Sequence, residues 1–156
     1  MSLTVLGIGN ILMRDEGVGV HLMEAVRDGR EWPQGIEFID GGVGGLGLML
    51  VLERSERMIV FDAADMNQPP GTSRLLDLDD IEDQQTDGMI GLHDMPFIQT
   101  VRLCEQFMHA PREVAIFAIQ PARIEYGREL SPEILGRWGS LVQEAAGAVQ
   151  KMEAKP

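Results

Sequence analysis

Cysteine is almost absent from this 156-residue sequence, in which Cys104 is the single example. One cysteine cannot form an intrachain disulfide, so a disulfide-stapled fold is excluded and a reducing compartment suits the chain. Phe97, Val101, Cys104 and Met108 recur at the spacing of one helix face. This pattern predicts that Cys104 is a small core residue and not a nucleophile.

Long hydrophobic runs and an excess of basic residues are also lacking. No run approaches the roughly 18 apolar residues of a membrane span, and no basic region precedes the apolar N-terminus, as it would in a signal peptide. Acidic residues outnumber basic ones by 25 to 13, and the formal net charge is -12. That charge repels nucleic-acid phosphates and anionic membrane surfaces. We therefore expect a cytoplasmic protein whose partners include neither nucleic acid nor a membrane.

What is present fits a single globular domain over residues 1–156, with 44% hydrophobic and 24% charged residues. Apolar runs bounded by glycine or aspartate predict strands, and a 3.6-residue apolar period predicts helices. The predicted strands are 3–9, 35–39, 57–61, 73–78 and 113–119, and the predicted helices are 17–28, 46–53, one from 93–94 to about 109, and one starting at Ser131.

The connections between these elements predict the fold class. Right-handed crossovers align strands joined through helices in parallel, whereas the short connection before 73–78 suits an antiparallel edge strand. We predict an α/β fold: a single three-layer domain with a twisted, five-stranded, mostly parallel sheet and helices on both faces. The acidic segment 79–91 has no periodicity and is interpreted as a solvated loop, with a mobile flap as the alternative.

The stretch from Val5 to Val20 carries the clearest signal of a ligand site. An apolar run ends in Gly7-Ile8-Gly9-Asn10, and the acidic pair Asp15-Glu16 follows before a helix. Ligands of open α/β sheets bind outside the carboxyl ends of the strands. The dinucleotide-binding fingerprint is an alternative, but Leu12 replaces its third glycine and the acidic pair would repel a pyrophosphate.

Three residues are expected to meet on one rim of the sheet: Glu16 after strand one, Asp62 after strand three, and His93 before the third helix. Two carboxylates and one imidazole can bind zinc, nickel or manganese and leave positions for water or substrate. The alternatives are a turn cap for Asp62, a favourable charge at a helix N-terminus for Glu16, and an ordinary loop histidine for His93.

Other polar residues on this rim have two interpretations each. Asp40 is either a general base or substrate contact, or a turn residue. Asn10 either orients a backbone amide or forms an Asx turn. Asp94 is either a hydrogen-bond partner of His93 or the N-cap of its helix, and the cap is favoured. Asp15 is expected to be solvated.

Five motifs, in order and at compatible spacing from residue 3 to about 135, resemble those of the nickel-iron hydrogenase maturation endopeptidases. The motifs are Gly7-x-Gly9-Asn10-x-Leu12-x-x-Asp15-Glu16-Gly17-x-Gly19, Asp40-Gly41-Gly42, Asp62-Ala63, Leu92-His93, and Gln120-Pro121 with Leu130-Ser131-Pro132. One departure is Val43, where the family commonly has threonine, so a role that needs a hydroxyl there is in doubt.

The resemblance implies an enzyme that removes a C-terminal extension from the precursor of the hydrogenase large subunit after nickel insertion. It implies that Glu16, Asp62 and His93 bind the metal, most simply nickel supplied by the substrate, and that no serine or cysteine is the nucleophile. An activity of the aspartic type, with Asp40 as a further candidate catalytic residue, is expected. The alternatives are a non-catalytic, nickel-dependent assembly chaperone for the same precursor and, more distantly, a glycine-rich nucleotide-binding module.

Overall fold

A computed structural model describes residues 2–79 and 95–156. Within these ranges five strands form one sheet in the order β2-β1-β3-β5-β4. All neighbouring strands are parallel except β4 and β5, which are antiparallel. The strands are β1 (Leu3–Ile8), β2 (Ile36–Gly42), β3 (Arg57–Ala63), β4 (Ser73–Asp77) and β5 (Glu113–Ile119). The predicted fold class, including the antiparallel edge strand, is confirmed.

Helices pack on both faces of this sheet. They are α1 (Val18–Asp28), α2 (Leu46–Arg54), α3 (Pro96–Phe107), α4 (Pro132–Gly136) and α5 (Trp138–Glu153). Alternate residues of β3 enter different cores, because successive side chains of a strand point to opposite faces. Met58 and Val60 pack with α2 and α3, whereas Ile59 and Phe61 pack with α1 and α5. In the described part of the chain, no helix is long and apolar enough to cross a membrane.

Three details differ from the sequence prediction. β2 and β3 extend to Gly42 and Ala63, so Asp40 and Asp62 lie within the ends of their strands rather than after them. The predicted C-terminal helix is divided into α4 and α5, and the break falls at Arg137. The Arg137 Nε donates to the Gly71 carbonyl oxygen at 3.1 Å, which ties this break to the turn before β4.

The helix α3 carries the cysteine that was predicted to lie in the core. Cys104 is fully buried in the core between the sheet and α3, as its helical spacing predicted. The helix itself begins at Pro96 and ends at Phe107, so it is shorter at both ends than expected. Residues 80–94, which include most of the acidic segment as well as His93 and Asp94, lie outside the described residues.

Gly147 offers a test of the described packing of α5. A Cβ atom added there meets no atom within 4 Å, and alanine favours a helix interior over glycine by about 0.5–1 kcal/mol. Gly147→Ala is expected to raise the free energy of unfolding by about that amount, measured by urea denaturation. Gly42→Ala is the matched control, because its site is equally open but has φ of 53°. It should be destabilising, and a gain in both variants would contradict the described backbone.

Candidate active site

A cavity of about 280 Å³ opens at the carboxyl ends of β1 and β3, where the sequence predicted a ligand site. The loops after β1, β2 and β5 contribute to its wall, and the N-terminus of α3 closes another side. Most of the lining is apolar, including Ile8, Leu48 and Phe97. Glu16, Asp62 and Asp65 place carboxyl groups in this lining, and Asp65 is the exposed one of the three. The structure therefore brings together the two predicted ligands that it describes.

Glu16 is positioned by a short 3-10 helix, Arg14–Gly17, directly before α1. The Glu16 backbone N–H donates to the Met13 carbonyl oxygen at 3.2 Å. Gly9 packs against the other side of this turn with φ of 144°, and a Cβ there would overlap the Glu16 carbonyl oxygen. The glycine loop after β1 thus serves close backbone packing, which allows the half-buried Glu16 side chain to line the cavity.

Asp62 is the second-last residue of β3 and is only 9% exposed. The pKa of its carboxyl is raised to about 8, mainly by burial and also by the charge of Glu16, while the hydrogen bond from the Ala63 backbone N–H acts in the opposite direction. Desolvation disfavours the charged form, and a second carboxylate nearby adds to the effect. Strongly perturbed carboxyl groups in a cleft are typical of functional sites.

The other candidate residues occupy different positions. Asp40 is exposed, lies outside the cavity lining, and its Oδ1 accepts a hydrogen bond from the Gly42 N–H at 2.8 Å. This contact is of the turn-forming kind, and a catalytic role for Asp40 stays a prediction. Asn10 Oδ1 accepts from the Leu12 N–H at 3.0 Å, so its side chain forms the Asx turn.

No metal site is complete within the described ranges. Among residues 2–79 and 95–156, no group of three or more histidine, cysteine, aspartate or glutamate side chains is arranged to hold a metal ion. Since His93 lies outside these ranges, the three-residue set of Glu16, Asp62 and His93 remains a prediction. The two described carboxyl groups supply oxygen ligands, which suit divalent cations.

The expectation that Asp15 is solvated is wrong, because its side chain is 0% exposed. Its Oδ1 accepts from the Ser131 N–H at 2.8 Å, and its Oδ2 accepts from Ser131 Oγ at 2.7 Å. The same Oδ2 accepts from the N–H groups of Ala122 and Arg123 at 2.8 and 2.9 Å. Burial raises the pKa of Asp15, but these hydrogen bonds outweigh it and the pKa is lowered overall. The partners lie more than 100 positions away, which sequence spacing does not indicate.

Gln120 is a second residue whose role the sequence pattern does not indicate, although its Gln-Pro motif is part of the family resemblance. Its side chain is buried, and Oε1 accepts from the Met66 N–H at 2.6 Å. Its Nε2 donates to Asp65 Oδ1 at 3.2 Å. These bonds fix the segment after β3, of which Ala64 and Asp65 line the cavity.

The arrangement of the site is that of an enzyme domain with a carboxyl-based centre. The carboxyl groups of Glu16 and Asp62, in a largely apolar cavity, can bind a cation, or share a proton and activate water. Among the described lining residues there is no serine or cysteine that could act as a nucleophile. An α/β domain with a buried carboxyl group of raised pKa in a cleft at the strand ends is typical of an enzyme.

Comparison with known proteins identifies the family. A family model described as hydrogenase maturation protease matches residues 20–148. The hydrogenase expression/formation protein HupD of Rhodobacter capsulatus is 34% identical over 142 residues, which cover 90% of this chain and 68% of that protein. The hydrogenase 2 maturation protease of Escherichia coli K12 is 26% identical over 163 residues, covering 100% of this chain and 96% of that protein.

A solved structure agrees with these relatives. The hydrogenase maturating endopeptidase HybD from Escherichia coli superposes with a TM-score of 0.80 at 25% identity, covering 97% of this chain and 94% of that one. The chain therefore belongs to the hydrogenase maturation protease family. Its activity is hydrolysis of a peptide bond in hydrogenase maturation.

Proposed function

We propose that this protein removes a C-terminal extension from the nickel-loaded precursor of the nickel-iron hydrogenase large subunit. The observation that carries the proposal is the pairing of Glu16 with the buried Asp62 in one cavity at the strand ends. Membership of the maturation protease family supports the substrate class. The proposed activity is of the aspartic type, because carboxyl groups are the acid and base groups of the described lining.

In this proposal nickel is part of the substrate and not a resident cofactor. Glu16 and Asp62 would bind it through carboxylate oxygens, with His93 as the predicted third ligand. When bound there, the ion would supply Lewis-acid chemistry, which polarises a carbonyl or activates water. Hydrolysis breaks the C–N bond, the water oxygen joins the carbonyl carbon, and a proton passes to the leaving amine.

The same arrangement makes nickel a recognition element. A precursor without nickel would lack the ion that Glu16 and Asp62 would hold, so the protease would leave it uncut. Cleavage would then report that metal insertion is complete.

The deciding experiment is intact-mass analysis of nickel-loaded and nickel-free precursor before and after incubation with this protein. A C-terminal loss only in the loaded precursor is the expected result. Equal loss from both forms would contradict nickel recognition, but it would still support the protease activity. A stable complex with no loss from either form would favour the assembly chaperone.

A further inference from the structure

Four large apolar side chains are exposed on two neighbouring loops beside the cavity. Ile11 and Leu12 follow β1, and Ile124 and Tyr126 follow β5; we call this surface the apolar platform. The exposed fractions range from 39% for Leu12 to 82% for Tyr126. Scattered exposed apolar residues need no explanation, but a cluster of them marks a site where another molecule binds.

Backbone hydrogen bonds hold the two loops of the platform together. The Gly127 N–H donates to the Leu12 carbonyl oxygen, and the Arg14 N–H donates to the Gly127 carbonyl oxygen, both at 2.8 Å. The Asp15 N–H donates to the Arg123 carbonyl oxygen at 3.0 Å. A surface that is already fixed in one arrangement loses little conformational entropy when a partner binds. The platform is therefore organised for binding before its partner arrives.

The charged side chains beside the platform do not share the negative excess of the whole chain, which carries a net charge of -12. The Glu125 carboxylate lies 3.4 Å from the Arg14 guanidinium and 3.8 Å from that of Arg123. One carboxylate faces two guanidinium groups, so the surface beside the platform has no excess of negative charge. This favours an apolar occupant over a basic one.

The platform is continuous with the candidate active site. Ile124 is 55% exposed on the platform and also lines the cavity that contains Glu16 and Asp62. A protein chain whose scissile bond lies at these carboxyl groups has to leave the cavity along its wall. Ile124 forms part of that wall. Tyr126 lies two residues further along the same loop, which is hydrogen-bonded to the loop of Leu12.

We propose that the apolar platform is the docking surface for an apolar stretch of the large-subunit precursor that adjoins the scissile bond. This inference rests on the proposed function and adds the surface that selects the substrate. Ile124 connects docking to the cavity, while Leu12 and Tyr126 contribute to affinity and not to bond cleavage. Truncating them should raise KM and leave kcat unchanged, because they do not contact the reacting atoms.

The test is the steady-state cleavage of nickel-loaded precursor by Tyr126→Ser and Leu12→Ser. KM is expected to rise about tenfold in each variant, with kcat within about twofold of the unchanged protein. Phe107→Ser is the matched control: Phe107 is 75% exposed at the far end of α3 from the cavity. It should leave both constants unchanged. Thermal unfolding of all three variants checks that the fold is retained.

An unchanged KM in Tyr126→Ser and Leu12→Ser would overturn the docking proposal, as would an equal rise in Phe107→Ser. A fall in kcat alone would also overturn it. If the unchanged protein dimerises and Tyr126→Ser abolishes the dimer without raising KM, the platform binds a second copy and the proposal is wrong.

The same measurements distinguish a wrong docking surface from a wrong protease function. If the unchanged protein binds the precursor without cutting it, protease action is contradicted and the platform is judged from Kd. A tenfold rise in Kd for Tyr126→Ser then supports docking, and an unchanged Kd overturns it. Absence of both binding and cleavage would overturn the two proposals together.

Discussion

Replacing Asp62 by asparagine is expected to reduce precursor cleavage at least about 100-fold while making the protein more stable near pH 8. Activity falls because the amide is neither a proton acceptor nor an anionic ligand. Stability rises because the buried carboxyl, whose pKa is raised to about 8, disfavours the charged form that it adopts freely in the unfolded chain at that pH. Asparagine does not carry this cost. Loss of function with a gain of stability separates a functional carboxyl group from a structural one.

The raised pKa of Asp62 makes the stability of the protein fall as the pH rises. In the unfolded chain Asp62 releases its proton near its ordinary value of 3.8, whereas in the folded protein it holds the proton up to about pH 8. The contribution to stability is therefore complete below about pH 4 and is lost as the pH rises toward 8. Because asparagine does not titrate, Asp62→Asn should gain a few kcal/mol over the unchanged protein between pH 4 and 8.

Urea denaturation of metal-free protein at pH 5 and pH 8 measures this difference. Asp77→Asn is the matched control, since Asp77 is an exposed aspartate at the end of β4 and far from the cavity in the sheet order. It should change neither cleavage nor the pH dependence of unfolding. Full activity of Asp62→Asn would show that Asp62 is not part of the catalytic site, whatever its effect on stability.

Replacing Asp15 by asparagine is expected to lower the free energy of unfolding by about 3 kcal/mol or more. The Asp15 carboxylate accepts four hydrogen bonds, two of them from Ser131. An asparagine amide keeps one acceptor oxygen and carries no charge, so its NH₂ group would face at least one of these donors and leave it unsatisfied in the interior. Cleavage should also weaken, because Glu16 is the next residue in the same 3-10 helix.

Ser131→Ala provides the graded control for Asp15. It removes one hydrogen bond to Asp15 and the N-cap contact to the Ile134 N–H, so a smaller loss of about 1–2 kcal/mol is expected. Because the pKa of folded Asp15 is lowered, its stabilisation is present above its ordinary value of 3.8 and is lost as the pH falls through the lower folded value. The difference between the unchanged protein and Asp15→Asn should therefore shrink in acid. Equal stability of the two at pH 7 would contradict the described network.

The sequence by itself determined the strand order along the chain and the class of fold. Parallel strands buried on both faces appear as short, continuous apolar runs, and β1 and β5 are almost wholly buried as such runs predict. The brief connection before β4 was too short for a parallel crossover, so its antiparallel pairing followed from length alone. Cys104 could be placed in the core because helical periodicity is a local property.

The tertiary structure alone decided which polar residues face each other. Glu16 and Asp62 were expected on one rim, but their shared cavity and the raised pKa of Asp62 depend on how the loops enclose them. Asp15 and Glu16 are neighbours in sequence, yet one is buried among distant backbone donors and the other lines the cavity. Local patterns fix backbone elements because those depend on nearby residues, whereas hydrogen-bond partners 107 to 116 positions apart are set only when the chain has folded.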